Sequence, residues 1–164
     1  MLGQNLVRKD NNLQILMTYP DKIELVLTYK HDTGDSEIFT ERVDAIKINE
    51  HYKLVHIPAF AHNLAYGDIV EVEYDDNEFH FNGLIEESGH STIHIVVFNL
   101  DSKETLVSRL EQLDCGVNTH VADNYIVIDV PPNVFYEPIR GYLQQEEDQE
   151  NISFRESCLS KIHQ

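Results

Sequence analysis

The sequence predicts an α+β protein. A small, strongly curved β-sheet or barrel is expected in residues 1–89, and a ferredoxin-like βαββαβ half in residues 90–164. Three observations carry this reading. Short β-rich segments recur through the first half, whereas apolar residues at helical spacing appear only after residue 100. Read in order, the second half gives β-α-β-β-α-β, the split-βαβ arrangement. In that topology the first and third strands are central, and here those two segments are the most apolar of the four.

In the first half, Ile23–Tyr29 is β-rich and largely apolar, and His31-Asp32-Thr33-Gly34-Asp35 reads as a turn. Residues 37–48 and 52–57 give a second and a third β stretch. Pro58 to Asp68 reads as a helical turn or loop closed by Gly67. In residues 69–81, Val70, Val72 and Tyr74 alternate with Ile69, Glu71 and Glu73, so one face is wet. With Asp75-Asp76-Asn77 as the turn, this segment is a hairpin.

The second half changes rhythm. Residues 92–98 are apolar on both faces, as in a central strand. Asp101 has N-cap character, and Glu104 stands three residues on, at capping-box spacing. Leu106, Leu110 and Leu113 then mark one helix face, with Gly116 as the expected C′ residue. Strands are expected at 117–121 and 125–130, the latter stopped by Pro131-Pro132. Phe135, Ile139, Tyr142 and Leu143 return to helical spacing, with Pro138 near the helix start. Residues 151–157 alternate like an edge strand. The junction 86–91 is short, so the two halves are expected to pack as one unit.

Charge narrows the function classes. Twenty-nine acidic residues face 12 basic ones, a net charge of −17 with His neutral. Nucleic-acid binding relies on Lys and Arg at phosphates, and anionic membranes repel such a chain, so neither is an expected partner. No Lys or Arg occurs between Lys53 and Lys103, while nine acids do, among them Asp75, Asp76, Glu78, Glu86 and Glu87. Glu146, Glu147, Asp148 and Glu150 form a second run. Such runs serve as solvated faces or as surfaces that capture a basic partner. No secretory signal or membrane span is read, and the two cysteines, Cys115 and Cys158, form no disulfide framework, which gives a cytoplasmic expectation.

The search for chemistry yields little. No metal site is expected from the nine histidines: His90 and His94 lie four apart on a predicted strand, a separation of about 13 Å. Ser88-Gly89-His90-Ser91 places a His among hydroxyls. An enzyme reading makes Ser91 the nucleophile, His90 its base and Asp68 or Glu87 the orienting group. The structural alternative is that Gly89 makes a tight turn while His90 and Ser91 satisfy backbone groups. Cys115 ends a predicted helix, where the negative dipole end does not lower a thiol pKa. No phosphate-binding loop is present, and no cofactor or catalytic set is assigned.

Several strings carry a resemblance. They are Ile57-Pro58-Ala59-Phe60-Ala61, Leu64-Ala65-Tyr66-Gly67-Asp68-Ile69-Val70, Ser88-Gly89-His90-Ser91-Thr92, Leu113-Asp114-Cys115-Gly116 and Ile128-Asp129-Val130-Pro131-Pro132. Over residues 21–159 the chain resembles a bacterial family of uncharacterised domains with the pattern IPxFAxGLxxGD, SGHST, LGC and VDVPP. Asn63 and Asp114 stand where that pattern has Gly. The family carries no catalytic residues to transfer. Proteins similar to it occur as immunity proteins beside polymorphic toxins, including contact-dependent and Maf-type nuclease toxins.

The resulting expectation is a non-enzymatic immunity protein that neutralises a basic nuclease toxin, in particular a ribonuclease. The acids Asp75, Asp76, Glu78, Glu86, Glu87, Glu146, Glu147, Asp148 and Glu150 would pair with toxin Lys and Arg, and Phe79 and Tyr142 would serve as anchors. Self-association is left open. The alternative is a small-molecule-binding or regulatory module with a pocket between the halves lined by His90, Asp68 and Tyr66.

Overall fold

In the computed structural model the described residues are 3–9, 12–30 and 37–164, with side chains described from Tyr19 onward. β1 (Gly3–Lys9) and β2 (Asn12–Thr18) form an antiparallel hairpin that the sequence pattern did not reveal. β3 (Lys22–Tyr29), β4 (Phe39–Ile48), β5 (His51–Leu54), β6 (Ile69–Asp75) and β7 (Glu78–Glu86) then form a curved five-stranded sheet. It closes into a barrel because β7 pairs in parallel with β3. Inward-facing Ile23, Leu25, Leu27, Val43, Ala45, Tyr52, Leu54 and Val70 fill it. The turn expected at His31–Asp35 lies outside the described residues.

The second half contains β8 (Ser91–Val97), α1 (Lys103–Gln112), β9 (Gly116–Ala122), β10 (Tyr125–Val130), α2 (Tyr136–Asp148) and β11 (Ile152–Cys158). The sheet order is β11-β8-β10-β9, antiparallel throughout, so β8 and β10 are central and β11 is an edge. Ile93, Ile95 and Val97 alternate with Thr92, His94 and Val96 on β8, as Ile126, Ile128 and Val130 do with Tyr125, Val127 and Asp129 on β10. The first-named three of each strand meet Leu106 and Leu110 of α1 and Tyr136, Ile139 and Leu143 of α2 in one core.

The other face of this sheet corrects one expectation. Residues 92–98 are not apolar on both sides: Thr92 and His94 are buried there, beside Val127 and Asp129 of β10. Residues 55–68, an irregular connector between β5 and β6, lie over that polar face, and their Ala61 and Leu64 join the barrel core. Phe60 is stacked between Tyr29 of the barrel (5.5 Å, 14°) and Tyr125 of the sheet (5.6 Å, 13°). The connector is thus the shared layer of the two halves.

Helix ends bring further corrections. The Asp101–Glu104 capping box is not made. Residues 100–102 form a 3-10 turn, and the Ser102 N-cap hydroxyl donates to Asn99 O at 2.8 Å, so the chain is already turned when α1 begins. Gly116 does not end α1 but opens β9. A Cβ there would stand 3.3 Å from Asp129 Cβ, so this glycine serves a close strand-to-strand approach. Phe135 is not on the apolar stripe of α2. It is the extended N-cap, 87% exposed, and Tyr136 takes the buried position.

The left-handed residue after α1 is Asp114, with φ 60°, and Asn63 in the connector has φ 59°. These are the two positions where the resemblance described above expects Gly. Asn and Asp tolerate this region better than other non-glycine residues, and Gly adopts it without steric cost. Asn63→Gly and Asp114→Gly are therefore expected to leave urea-unfolding stability within about 1 kcal/mol of wild type. Asn63→Val and Asp114→Val should each lose about 1–3 kcal/mol.

Candidate functional site

The acids of the first run are spread along the β6–β7 hairpin. Alternation on β6 puts Glu71, Glu73 and Asp75 on the solvent side, with Asp76 at the turn. Asp76 and Asn77 take φ 47° and 64°, a pair of left-handed residues that closes a two-residue hairpin turn. Asp75 is paired across the strands with Glu78, and Glu73 with His80. Glu78 is held by Arg42 of β4, which also reaches Glu24. Phe79 points inward, edge-on to Tyr19 at 5.5 Å, so it is a core residue rather than an exposed anchor. Glu86 and Glu87 are exposed. Glu86 stands at the far end of β7, eight residues from Glu78, roughly 26 Å along the strand.

The second acidic run lies at the end of α2, where it also has local duties. Glu147 accepts from the Ser153 hydroxyl (3.1 Å) and from Phe154 N (3.2 Å), and Glu146 accepts from Asn151 Nδ2 (3.0 Å), which fixes the turn into β11. Asp148 and Glu150 are exposed, and Tyr142 packs half-buried on the helix core.

The motif residues gather at the junction, where they satisfy the connector backbone. The buried Asp68 accepts from Ala65 N and Ser88 N, both at 2.8 Å. The Ser88 hydroxyl donates to Tyr66 O at 2.7 Å. Gly67, at φ 85°, lets the chain turn where a Cβ would crowd Ser88 Cβ at 3.1 Å. Gly89, also at φ 85°, faces Pro132 and Ile162. Pro58 O receives His94 Nε2 at 3.2 Å, and Thr92 and Tyr125 donate to Leu64 O (3.1 Å) and Ala59 O (2.7 Å). From the barrel side, one carboxylate, Glu41, accepts from Ala59 N, Phe60 N and Ala61 N at 2.5, 3.0 and 3.0 Å.

His90 and Ser91, adjacent in sequence, turn to different partners. His90 Nδ1 lies 2.8 and 3.0 Å from the two oxygens of Asp129. Burial raises the Asp129 carboxyl above the usual range, while the hydrogen bond and charge of His90 pull it down. Ser91 is fully buried, accepts from Ser160 N at 2.9 Å, and meets His163 Nδ1 at 2.7 Å. The Ser91–His90 pairing of the enzyme reading is absent, and neither Asp68 nor Glu87 orients the imidazole. Asp129 and Glu41 were missed in the sequence. Asp129 carried a signal, as the lone acid in the apolar strand Tyr125–Val130, whereas Glu41 carried none.

Among the described residues, no group of three or more His, Cys, Asp or Glu side chains could hold a metal ion. Burial pushes the Cys115 and Cys158 thiols up, to about 12 and about 11, so both are thiols rather than thiolates at neutral pH. No helix among the described residues is long and apolar enough to cross a membrane.

Two stability tests follow. Glu41→Ala leaves three connector amides without their acceptor and should cost about 2–4 kcal/mol by urea unfolding, with Glu41→Gln milder. Burial pulls the His94 pKa down to about 4. Between that value and the ordinary 6.5 the unfolded chain binds the extra proton, so stability falls as pH is lowered through this window. The loss is about 3 kcal/mol at roughly 1.36 kcal/mol per unit, and His94→Gln should flatten that part of the profile relative to wild type.

Comparison with known proteins places this geometry. No curated protein matches the chain. A solved structure titled "Novel crystal structure of a hypothetical protein from Neisseria gonorrhoeae" is similar at a TM-score of 0.76 and 30% identity, over 87% of this chain and 99% of that one. The model of DUF4265, a domain of unknown function, matches residues 41–154, which takes in the last four barrel strands, the connector and nearly all of the second sheet. The chain belongs to the DUF4265 family.

Proposed function

We propose that this protein is an immunity protein that binds and neutralises a basic toxin domain, a ribonuclease in the first instance. The observation that carries the reading is the β6–β7 hairpin. Glu71, Glu73, Asp75 and Asp76 are exposed on it, and neither strand contains a Lys or Arg. Carboxylates this close repel one another, and a cationic partner relieves that repulsion while capture is accelerated. A nuclease must carry Lys and Arg to hold its substrate, so its substrate face is the complementary surface. Exposed Asp148 at the end of α2 and Glu150 just after it supply a second acidic point, and Glu86 and Glu87 a third.

The second half is proposed to be ferredoxin-like. The order β11-β8-β10-β9, with α1 and α2 in the two crossovers, supports this. Its role here is to carry the connector and to brace the barrel that presents the hairpin.

The test is binding to the protein encoded by the adjacent reading frame, measured by surface plasmon resonance at several salt concentrations. Asp75→Lys with Asp76→Lys should slow association at least about ten-fold at low salt and flatten its salt dependence, with the dissociation rate less affected. Unchanged association with that partner would remove the hairpin from the interface, and absence of a complex would remove the immunity reading.

A further inference from the structure

The two halves meet around a cavity of about 200 Å3 that opens to solvent at one side. Asn63, Asp68, Leu84 and Glu87 line it from the barrel side, and His90 and Cys158 from the sheet side. The volume corresponds to roughly six waters at about 30 Å3 each, room for a molecule or side chain of a few heavy atoms.

The chemistry of the walls is one-sided. Asp68 is 3% exposed, and each of its oxygens accepts one amide hydrogen, which leaves one further lone pair on each. No Lys, Arg or His pairs with it among the described residues. Asp129 holds the His90 ring through Nδ1, which leaves Nε2 as the other ring nitrogen. Among the described residues, Nε2 takes no hydrogen bond from the protein. Glu87 is exposed at the rim. No Lys or Arg lines the space, and Leu84 and Leu159 give it apolar wall. The two carboxylates make themselves felt inside: after burial, Asp68 and Glu87 are the charges that raise the Cys158 thiol.

The carboxylates of Asp68 and Glu87 set the charge of these walls, so the occupant they fit is a compact cationic donor with an apolar tail. An anion would be repelled, and no cluster among the described residues offers metal-ligand geometry. We propose that this cavity binds a primary alkylammonium group. Its N–H bonds go to Asp68 and Glu87, and its alkyl chain lies against Leu84. The same chemistry is offered by a free small amine and by a lysine side chain. The inference does not rest on the toxin-binding proposal.

The experiment is calorimetric titration of the intact protein with n-butylammonium chloride, with n-butanol and sodium butyrate at matched ionic strength as controls. Saturable binding of the ammonium alone is expected. Glu87→Gln, at an exposed position, should weaken it about ten-fold. Cys158→Leu should fill the cavity and abolish it, with the circular dichroism spectrum checked for an intact fold. Nα-acetyl-lysine methylamide separates the sources: binding as tight as n-butylammonium assigns the site to a lysine side chain, and binding only of n-butylammonium assigns it to free amines. No saturable binding, equal binding of butanol or butyrate, or binding indifferent to both substitutions overturns the proposal.

Discussion

The structure depends on satisfying the backbone of the connector, residues 55–68. This segment is neither helix nor strand, yet Ala59, Ala61, Leu64, Ala65 and Asp68 are almost completely buried between two sheets. Irregular backbone in such a place has no ladder to supply partners, and each orphaned amide or carbonyl costs about 1–3 kcal/mol. Ser157 O and Leu54 O receive Asn63 N and Gly67 N, and side chains from three directions supply further partners: Glu41 from the barrel, Thr92, His94 and Tyr125 from the sheet, and Asp68 from the connector itself. The Tyr29–Phe60–Tyr125 stack closes the same seam with apolar area. Much of what looks like catalytic vocabulary in the sequence is this scaffold.

The acid excess then divides into two populations. Glu41, Asp68, Asp129, Glu146 and Glu147 accept hydrogen bonds that hold turns, the connector or an imidazole. The carboxylates along β6, at the hairpin turn and at and just after the end of α2 face solvent. Net charge sums both groups, but only the second can act on a partner. Glu78 and Glu86 stand at opposite ends of β7, so the acids of this run are spread along the hairpin rather than gathered at its turn. An inhibitor that used all of them would have to grip a toxin domain across the barrel.

Legibility in the sequence followed physical locality. Strand alternation in Ile69–Tyr74, the leucine spacing of α1 and the Pro131-Pro132 stop were readable because each is decided within a few residues. The Asp114 helix end was misplaced onto Gly116 because a glycine two residues away was the stronger local signal, and tertiary closeness to Asp129 was what that glycine served. Ser88, His90 and Ser91 stood out as a polar group, but their partners Tyr66, Asp129 and His163 lie 22, 39 and 72 residues away, beyond any spacing rule. Glu41 was invisible for the same reason: nothing in a β-strand marks the one carboxylate that will receive three amides from another segment.

If the connector is the clamp that makes the two halves one unit, its amides must be as hard to open as the sheets themselves. Native-state hydrogen exchange of Ala59, Phe60, Ala61 and Ala65, with the Ser88 amide that the connector's Asp68 accepts, tests this directly, read beside the β8 and β10 amides. The account predicts that these five exchange only through global unfolding, with the same denaturant dependence as the central strands. Fast exchange of the connector amides while β8 and β10 stay protected would contradict it, and would mean that the halves are held together by something other than this hydrogen-bonded layer.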